Sequence, residues 1–185
     1  MEILILHPGG LGDIILSLPA IALIRSRYRS ARVTLAGNID HLAAIASSCA
    51  ETVVSLSTLP LHHLYSNDPI PDNDVRFWRS FDIIVSWTGA GDPAFAKNFH
   101  RIHPNVRIAP WRPGSGERRH VSQIFVDSLT PYILQGDAVA PAQIQLDREL
   151  CFEGIQWLEA RGWNRRDRLI ALHPGAGSLT KRWPL

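Results

Sequence analysis

Apolar side chains run unbroken from Ile3 to Leu6 and stop at His7-Pro-Gly-Gly10, the pattern of a buried parallel strand entering a glycine turn. Beyond Asp13 the period changes. Ile14, Ile15, Leu18, Ile21, Ala22 and Ile24 recur at helical spacing, and the segment closes on a basic last turn at Arg25, Arg27 and Arg29. Pro19 is predicted to kink or restart that helix. Arg32–Ala36 reads as a second strand, Asn38 as the cap of a helix through Ser47, and Thr52–Leu56 as a third strand. Asp82–Trp87 and Val106–Ala109 are further strands, and a helix is predicted near His120 to Leu134. Thr58 to Asp74 holds three prolines and adjacent histidines and reads mainly as an irregular excursion. This alternation predicts an α/β fold, a parallel sheet with helices on its faces.

Gln135 to Asp147 mixes Gly, Ala and Pro with little periodicity, so residues 1–135 are assigned to a first domain and 136–147 to a linker. Residues 148–185 start a second unit. Leu150, Cys151, Ile155, Trp157 and Leu158 share a helical face in Arg148–Arg161, Gly162 is a plausible stop, and Arg168–His173 reads as a strand. Pro174-Gly-Ala-Gly-Ser178 then repeats the strand-to-glycine pattern of the N-terminus. The helix that should cover this strand is only starting at Leu185, so the expectation is a truncated chain, inactive alone, with apolar surface exposed around Leu169 to Leu172.

Composition narrows the class. Apolar residues make up 45% and charged residues 19% of the 185 residues, enough for a filled core and against global disorder. The formal net charge of +2 does not call for nucleic acid as a partner. Cys49 and Cys151 are far apart in sequence and in no metal-binding or disulfide pattern, which fits a reducing cytoplasm. The apolar stretch from Ile3 to Ile24 is interrupted by His7, Pro8, glycines, Asp13 and Pro19, so it is not read as an export or membrane segment.

The chemistry concentrates at two glycine loops. His7-Pro-Gly-Gly-Leu-Gly-Asp13 sets amide groups and a carboxylate where a strand ends and a helix starts, a place suited to oxygen-rich ligands. It is not the dinucleotide fingerprint: counted from Gly10 the third glycine position is Ile15, and the second strand ends in Gly37-Asn38 without an acid for a ribose. Asp13 has two readings, a carboxylate that stabilises a helix N-terminus and a general base at the ligand edge. Thr88-Gly-Ala-Gly91 is a further glycine loop at that edge. Arg112, Arg118, Arg119 and His120 precede a helix and have two readings as well, contact with phosphates of a ligand or a solvated loop. Asp72-Asn-Asp74 spells D-x-D, but in a Pro-rich loop and at a frequency chance supplies about once in such a chain. His62-His63, and His100 with His103, lack acidic or Cys partners in metal-site spacing, and no metal is expected. Neither a nucleophile elbow nor a P-loop occurs.

Gly10-Leu-Gly-Asp-Ile-Ile-Leu-Ser-Leu-Pro-Ala-Ile-Ala-Leu-Ile-Arg25 resembles the opening of the heptosyltransferases of glycosyltransferase family 9. Leu172-His-Pro-Gly-Ala-Gly-Ser-Leu-Thr-Lys-Arg-Trp-Pro184 is similar to the loop that begins that family's donor domain. The resemblance implies a GT-B-type fold of two Rossmann-like domains, of which the second is here only begun, and an inverting, metal-independent, cofactor-free transfer from ADP-heptose to a lipopolysaccharide inner-core acceptor. On that pattern Asp13 is the general base, Gly10 and Gly12 with Arg118, Arg119 and His120 form the acceptor-side loops, and Gly177, Ser178, Thr180 and Lys181 hold the donor phosphates. It further implies a cytoplasmic enzyme with the option of peripheral contact at the inner face of the inner membrane, where the arginines between Arg25 and Arg32 would meet anionic lipid. Two alternatives stay open, a non-catalytic nucleotide or phosphosugar binding module and a related glycosyltransferase with another donor or acceptor.

Overall fold

The computed structural model describes residues 1–42, 45, 49–133, 141, 143–144 and 148–173, and the chain divides into two compact units, Met1–Leu146 and Asp147–Leu185. Five strands, β1 Glu2–Leu6, β2 Arg32–Gly37, β3 Thr52–Ser55, β4 Ile83–Ser86 and β5 Val106–Ile108, form one sheet in the order β3-β2-β1-β4-β5. Every pairing is parallel, with Leu6 opposite Ala36 on one side and Ser86 on the other. Between them lie α1 Leu11–Arg27, α2 Ile39–Leu42, α3 His62–Tyr65, α4 Asp72–Arg79, α5 Pro93–Ile102 and α6 Val121–Asp127.

Both faces of the sheet are covered, and the inner strands β1 and β4 are accordingly unbroken apolar runs over residues 3–6 and 83–85, whereas β2, β3 and β5 carry polar positions at Thr34, Thr52 and Arg107. Ile3 and Ile5, with Val33, Leu35, Ile83 and Val85, point to one face and pack against Ile14, Leu18, Ile21 and Ile24 of α1 and Phe125 and Val126 of α6. Leu4, Leu6, Ala36 and Ile84 point to the other, against Leu64 of α3, Trp78 of α4 and Phe95, Phe99 and Ile102 of α5. Each such side chain removed from water contributes about 1.5–3 kcal/mol, so the two faces hold the sheet from both sides.

The fold class is therefore the expected one, and several elements differ. Pro19 lies inside a single helix α1, so it does not restart the helix. Asn38 caps α2 as predicted, its Oδ1 accepting from the Asp40 amide at 3.1 Å, but α2 itself is Ile39–Leu42; 43–44 and 46–48 lie outside the described residues. The segment from Thr58 to Asp74 is not wholly irregular: it contains α3 and the start of α4, so Asp72-Asn-Asp74 is a helical first turn. Helix α6 stops at Asp127, where hydroxyls of Ser128 and Thr130 take the carbonyls of Phe125 and Asp127 and Pro131 disfavours a further turn.

In the second unit α7 spans Arg148–Glu159, and Gly162, with φ +91°, ends it as predicted. None of its residues is buried. Arg168–His173 is not a strand. It is exposed, and among the described residues of its unit there is no strand whose amides and carbonyls it could pair with. Among the described residues no helix is long and apolar enough to cross a membrane.

Candidate functional site

Helix α1 follows β1 onto one face and α5 follows β4 onto the other, so the neighbouring strands β1 and β4 send their connections in opposite directions. That is the topological switch point of an open α/β sheet, whose carboxyl edge leaves a crevice for ligands. Two of the glycine loops identified in the sequence flank it: His7 to Asp13 after β1, and Thr88 to Gly91 after β4.

Gly10 occupies the N-cap position of α1 and Asp13 is its third helical residue. The Asp13 Oδ2 accepts from the Gly10 amide at 3.2 Å, the N3 half of a capping box whose other half is missing because Gly10 has no side chain. Among the described residues the other oxygen, Oδ1, has no hydrogen-bond donor. The carboxylate is thus held through Oδ2 and, among the described residues, unbonded at Oδ1. Gly9 explains how it comes so close: a Cβ there would fall 2.6 Å from the Asp13 Cβ and 2.8 Å from the His7 Cε1. Gly12 faces open space, and its exposed backbone leaves room for a ligand.

Under this loop lies His7, wholly buried between Trp87 and Phe125, each with its ring centroid 5.4 Å away. Its Nδ1 accepts from the Gly9 amide at 3.1 Å, which places the proton of the neutral ring on Nε2. Nε2 is buried and, among the described residues, meets no acceptor at full hydrogen-bonding geometry, although the Asp13 main chain pulls on the ring. Burial pushes the ring down to about 4, against the opposing pull of the Asp13 charge and main chain, so the imidazole is uncharged at neutral pH.

His41, in the first turn of α2, was passed over in the sequence because it follows a short strand in a segment without periodicity. A Cβ on Gly10 would lie 3.9 Å from both the His41 Cε1 and the Asp13 Oδ2, so imidazole and carboxylate border the same space beside the bare Gly10 Cα. At the loop after β4 the Tyr65 hydroxyl meets Thr88 Oγ1 at 3.3 Å, and the Tyr65 ring lies tilted by 42° against Phe95 with centroids 4.7 Å apart.

The remaining candidates are placed as follows. The loop after β5 carries Arg118, Arg119 and His120 to the same carboxyl edge, where Phe125 of α6 reaches His7. Arg118 is exposed. Arg119 is committed to Asp127 at 2.7 Å and to Glu117 at 2.5 Å, and its hydrogen bond holds the Glu117 carboxyl well below the usual range. His120 is the N-cap of α6, with Nδ1 accepting from the Ser122 amide. Gly177, Ser178, Thr180 and Lys181 lie outside the described residues. Asp74 of the D-x-D triplet bonds His63 at 2.5 Å, away from the loop, and among the described residues no three His, Cys, Asp or Glu side chains converge as a metal set. Burial pushes the Cys49 thiol up to about 11, which makes it a poor nucleophile. Of the arginines between Arg25 and Arg32, Arg25 faces Glu51 at 2.8 Å, off hydrogen-bond geometry, and Arg32 faces Glu2 at 4.0 Å.

Sheet order, covered faces and a carboxylate at the switch point define the chain as a Rossmann-like α/β protein with its candidate site on the first glycine loop. No protein-family profile and no curated protein matches the sequence. Solved structures do. A family 9 glycosyl transferase from Veillonella parvula superposes on 99% of this chain with a TM-score of 0.72 at 15% identity. The E. coli ADP-heptose LPS heptosyltransferase II superposes on 100% of it with a TM-score of 0.60 at 16% identity. The chain has the GT-B-type fold of these proteins and spans 56% and 58% of their respective lengths.

Proposed function

We propose that this chain is the acceptor-side part of an inverting, metal-independent glycosyltransferase that moves a heptose from ADP-heptose to a lipopolysaccharide inner-core sugar. The observation that carries the reading is the Asp13 carboxylate, tethered through Oδ2 to the Gly10 amide at 3.2 Å at the sheet's switch point. The motif at Gly10 to Arg25 and the likeness of fold support it. In this scheme the acceptor hydroxyl gives its proton to Asp13 Oδ1 as its oxygen bonds to the anomeric carbon from the face opposite the diphosphate. The anomeric carbon–oxygen bond breaks, and ADP leaves with the electron pair.

The acceptor sits on the backbone of Gly10 and Gly12, with His41 beside it. Arg118 and His120 are the loop residues able to meet acceptor phosphates, whereas Arg119 would have to leave two carboxylates first. Gly177, Ser178, Thr180 and Lys181 take the donor diphosphate, an assignment that rests on the sequence resemblance; a cation and neutral donors there offset charge growing on the leaving group. The reaction needs no cofactor and no nucleic acid, and the enzyme works in the cytoplasm, with its glycolipid acceptor at the inner face of the inner membrane.

The test is transfer by the full-length protein from ADP-heptose to heptose-deficient lipopolysaccharide. Formation of the heptosylated product supports the proposal. Binding of ADP-heptose without turnover would replace it with a nucleotide-sugar binding module, and turnover only with another nucleotide sugar would keep the reaction and change the substrate.

A further inference from the structure

Two consecutive amides of the first glycine loop are held from opposite ends of that loop. The Gly9 amide points to His7 Nδ1 at 3.1 Å and the Gly10 amide to Asp13 Oδ2 at 3.2 Å. Between them Gly9 is wedged so tightly that a single added carbon would strike both the His7 ring and the Asp13 side chain. His7 itself cannot drift, because it is buried against Trp87 and Phe125 and Trp87 is anchored by its Nε1 donating to Ser128 Oγ at 2.9 Å. The chain of contacts therefore runs from a fixed indole through His7 and Gly9 to the carboxylate.

From this we infer that His7 is the positioning residue of Asp13: an uncharged Nδ1 acceptor that fixes the Gly9 amide, and through it the Gly10 amide and the direction of the Asp13 carboxylate. A histidine suits the place for a chemical reason. The acceptor must lie a fixed distance from its own backbone, in the plane of a ring that two aromatic neighbours can grip, and without a charge that burial would penalise. Among the described residues the buried Nε2 has no acceptor at full hydrogen-bonding geometry, so packing alone does not explain this side chain, since an apolar ring of similar size would bury no polar atom. His7 touches no reacting atom in the proposed transfer; it acts through Asp13.

The inference rests on the transferase reading for its kinetic consequence and on the loop geometry for the rest, and the two fail separately. In the full-length protein, His7→Asn keeps an oxygen acceptor near the position of Nδ1, His7→Gln moves it outward by a methylene, and His7→Leu removes it. We expect His7→Asn to retain kcat within about threefold of native, and His7→Gln and His7→Leu to lose about 10-fold to 10²-fold in kcat with KM for ADP-heptose changed less than about twofold, the pattern of a misplaced catalytic group. Equal kcat in His7→Leu and native protein would overturn the inference and leave the transferase standing.

Nitrogen-15 NMR decides the matter without turnover. At pH 7 His7 is expected as the Nε2–H tautomer, and the Gly9 and Gly10 amide protons are expected to exchange slowly in native protein and His7→Asn but fast in His7→Leu and His7→Gln. Circular dichroism on each variant establishes that it is folded. A protonated His7 ring, an Nδ1–H tautomer, or unchanged exchange at Gly10 in folded His7→Leu would contradict the positioning role whatever the protein transfers.

Discussion

At the scale of residues, the site is an interlock of small parts. Gly9 is a glycine because His7 and Asp13 leave no room for a Cβ, and Asp13 can serve the helix N-terminus and the crevice at once because it has two oxygens. The buried imidazole makes stability depend on pH with a definite sign. His7 titrates near 6.5 in the unfolded chain and near 4 in the folded one, so between those values the unfolded state binds more protons and stability rises with pH. Its contribution is complete above about pH 6.5 and falls, by an amount on the order of 3 kcal/mol, as the pH drops to about 4. Urea unfolding at pH 7 and pH 4.5 should show a smaller loss for His7→Asn than for native protein; equal losses would mean that His7 is not buried uncharged. Asp13 was legible in the sequence, since an acid just past a strand and glycine turn has few other places to be. Its relations with His7, Gly9 and His41 were not, because they arise from contacts among residues that share no spacing rule.

The elements follow the physics of their patterns where one face decides. Continuous apolar runs marked β1 and β4, covered on both sides, whereas β2 and β5 were legible from their β-branched residues despite Thr34 and Arg107. Helix α5 went unassigned although Asp92-Pro93 is a strong start signal, with Asp92 Oδ1 accepting from the Phe95 amide at 2.9 Å and a proline in the first turn. Asp92→Ala should therefore lower stability by about 1 kcal/mol. The turn leading to it is tighter still: Gly89 has φ +74°, and a Cβ there would lie 2.1 Å from the buried Phe95 ring. Gly89→Ala should cost about 2–4 kcal/mol, the sum of a left-handed backbone and an overpacked core. Denaturant unfolding checks both, and a Gly89→Ala loss smaller than that of Asp92→Ala would refute the account of this junction. Arg168–His173 shows the opposite failure, since an apolar run signals burial to a reader of sequence but becomes a strand only beside another strand.

For the whole molecule, alternating strands and helices predicted the layers but not the order of the strands, which is settled by long-range pairing that no local pattern encodes. The order places the switch point between β1 and β4 and so turns two glycine loops, remote in sequence, into the walls of one crevice. Among the described residues of the second unit, Leu169 is 55%, Ile170 80% and Leu172 85% exposed. The 185-residue chain should bind an apolar fluorescent dye, less so when these three are changed to serine; a dye-negative monomer would count against that surface. The central claim is that the carboxylate at the switch point removes the acceptor proton. Its most direct test is the rate of heptose transfer by full-length Asp13→Asn protein against native protein, with ADP-heptose affinity measured alongside. A fall of about 10² or more with affinity unchanged is the predicted result; a native rate from Asp13→Asn would place the base elsewhere.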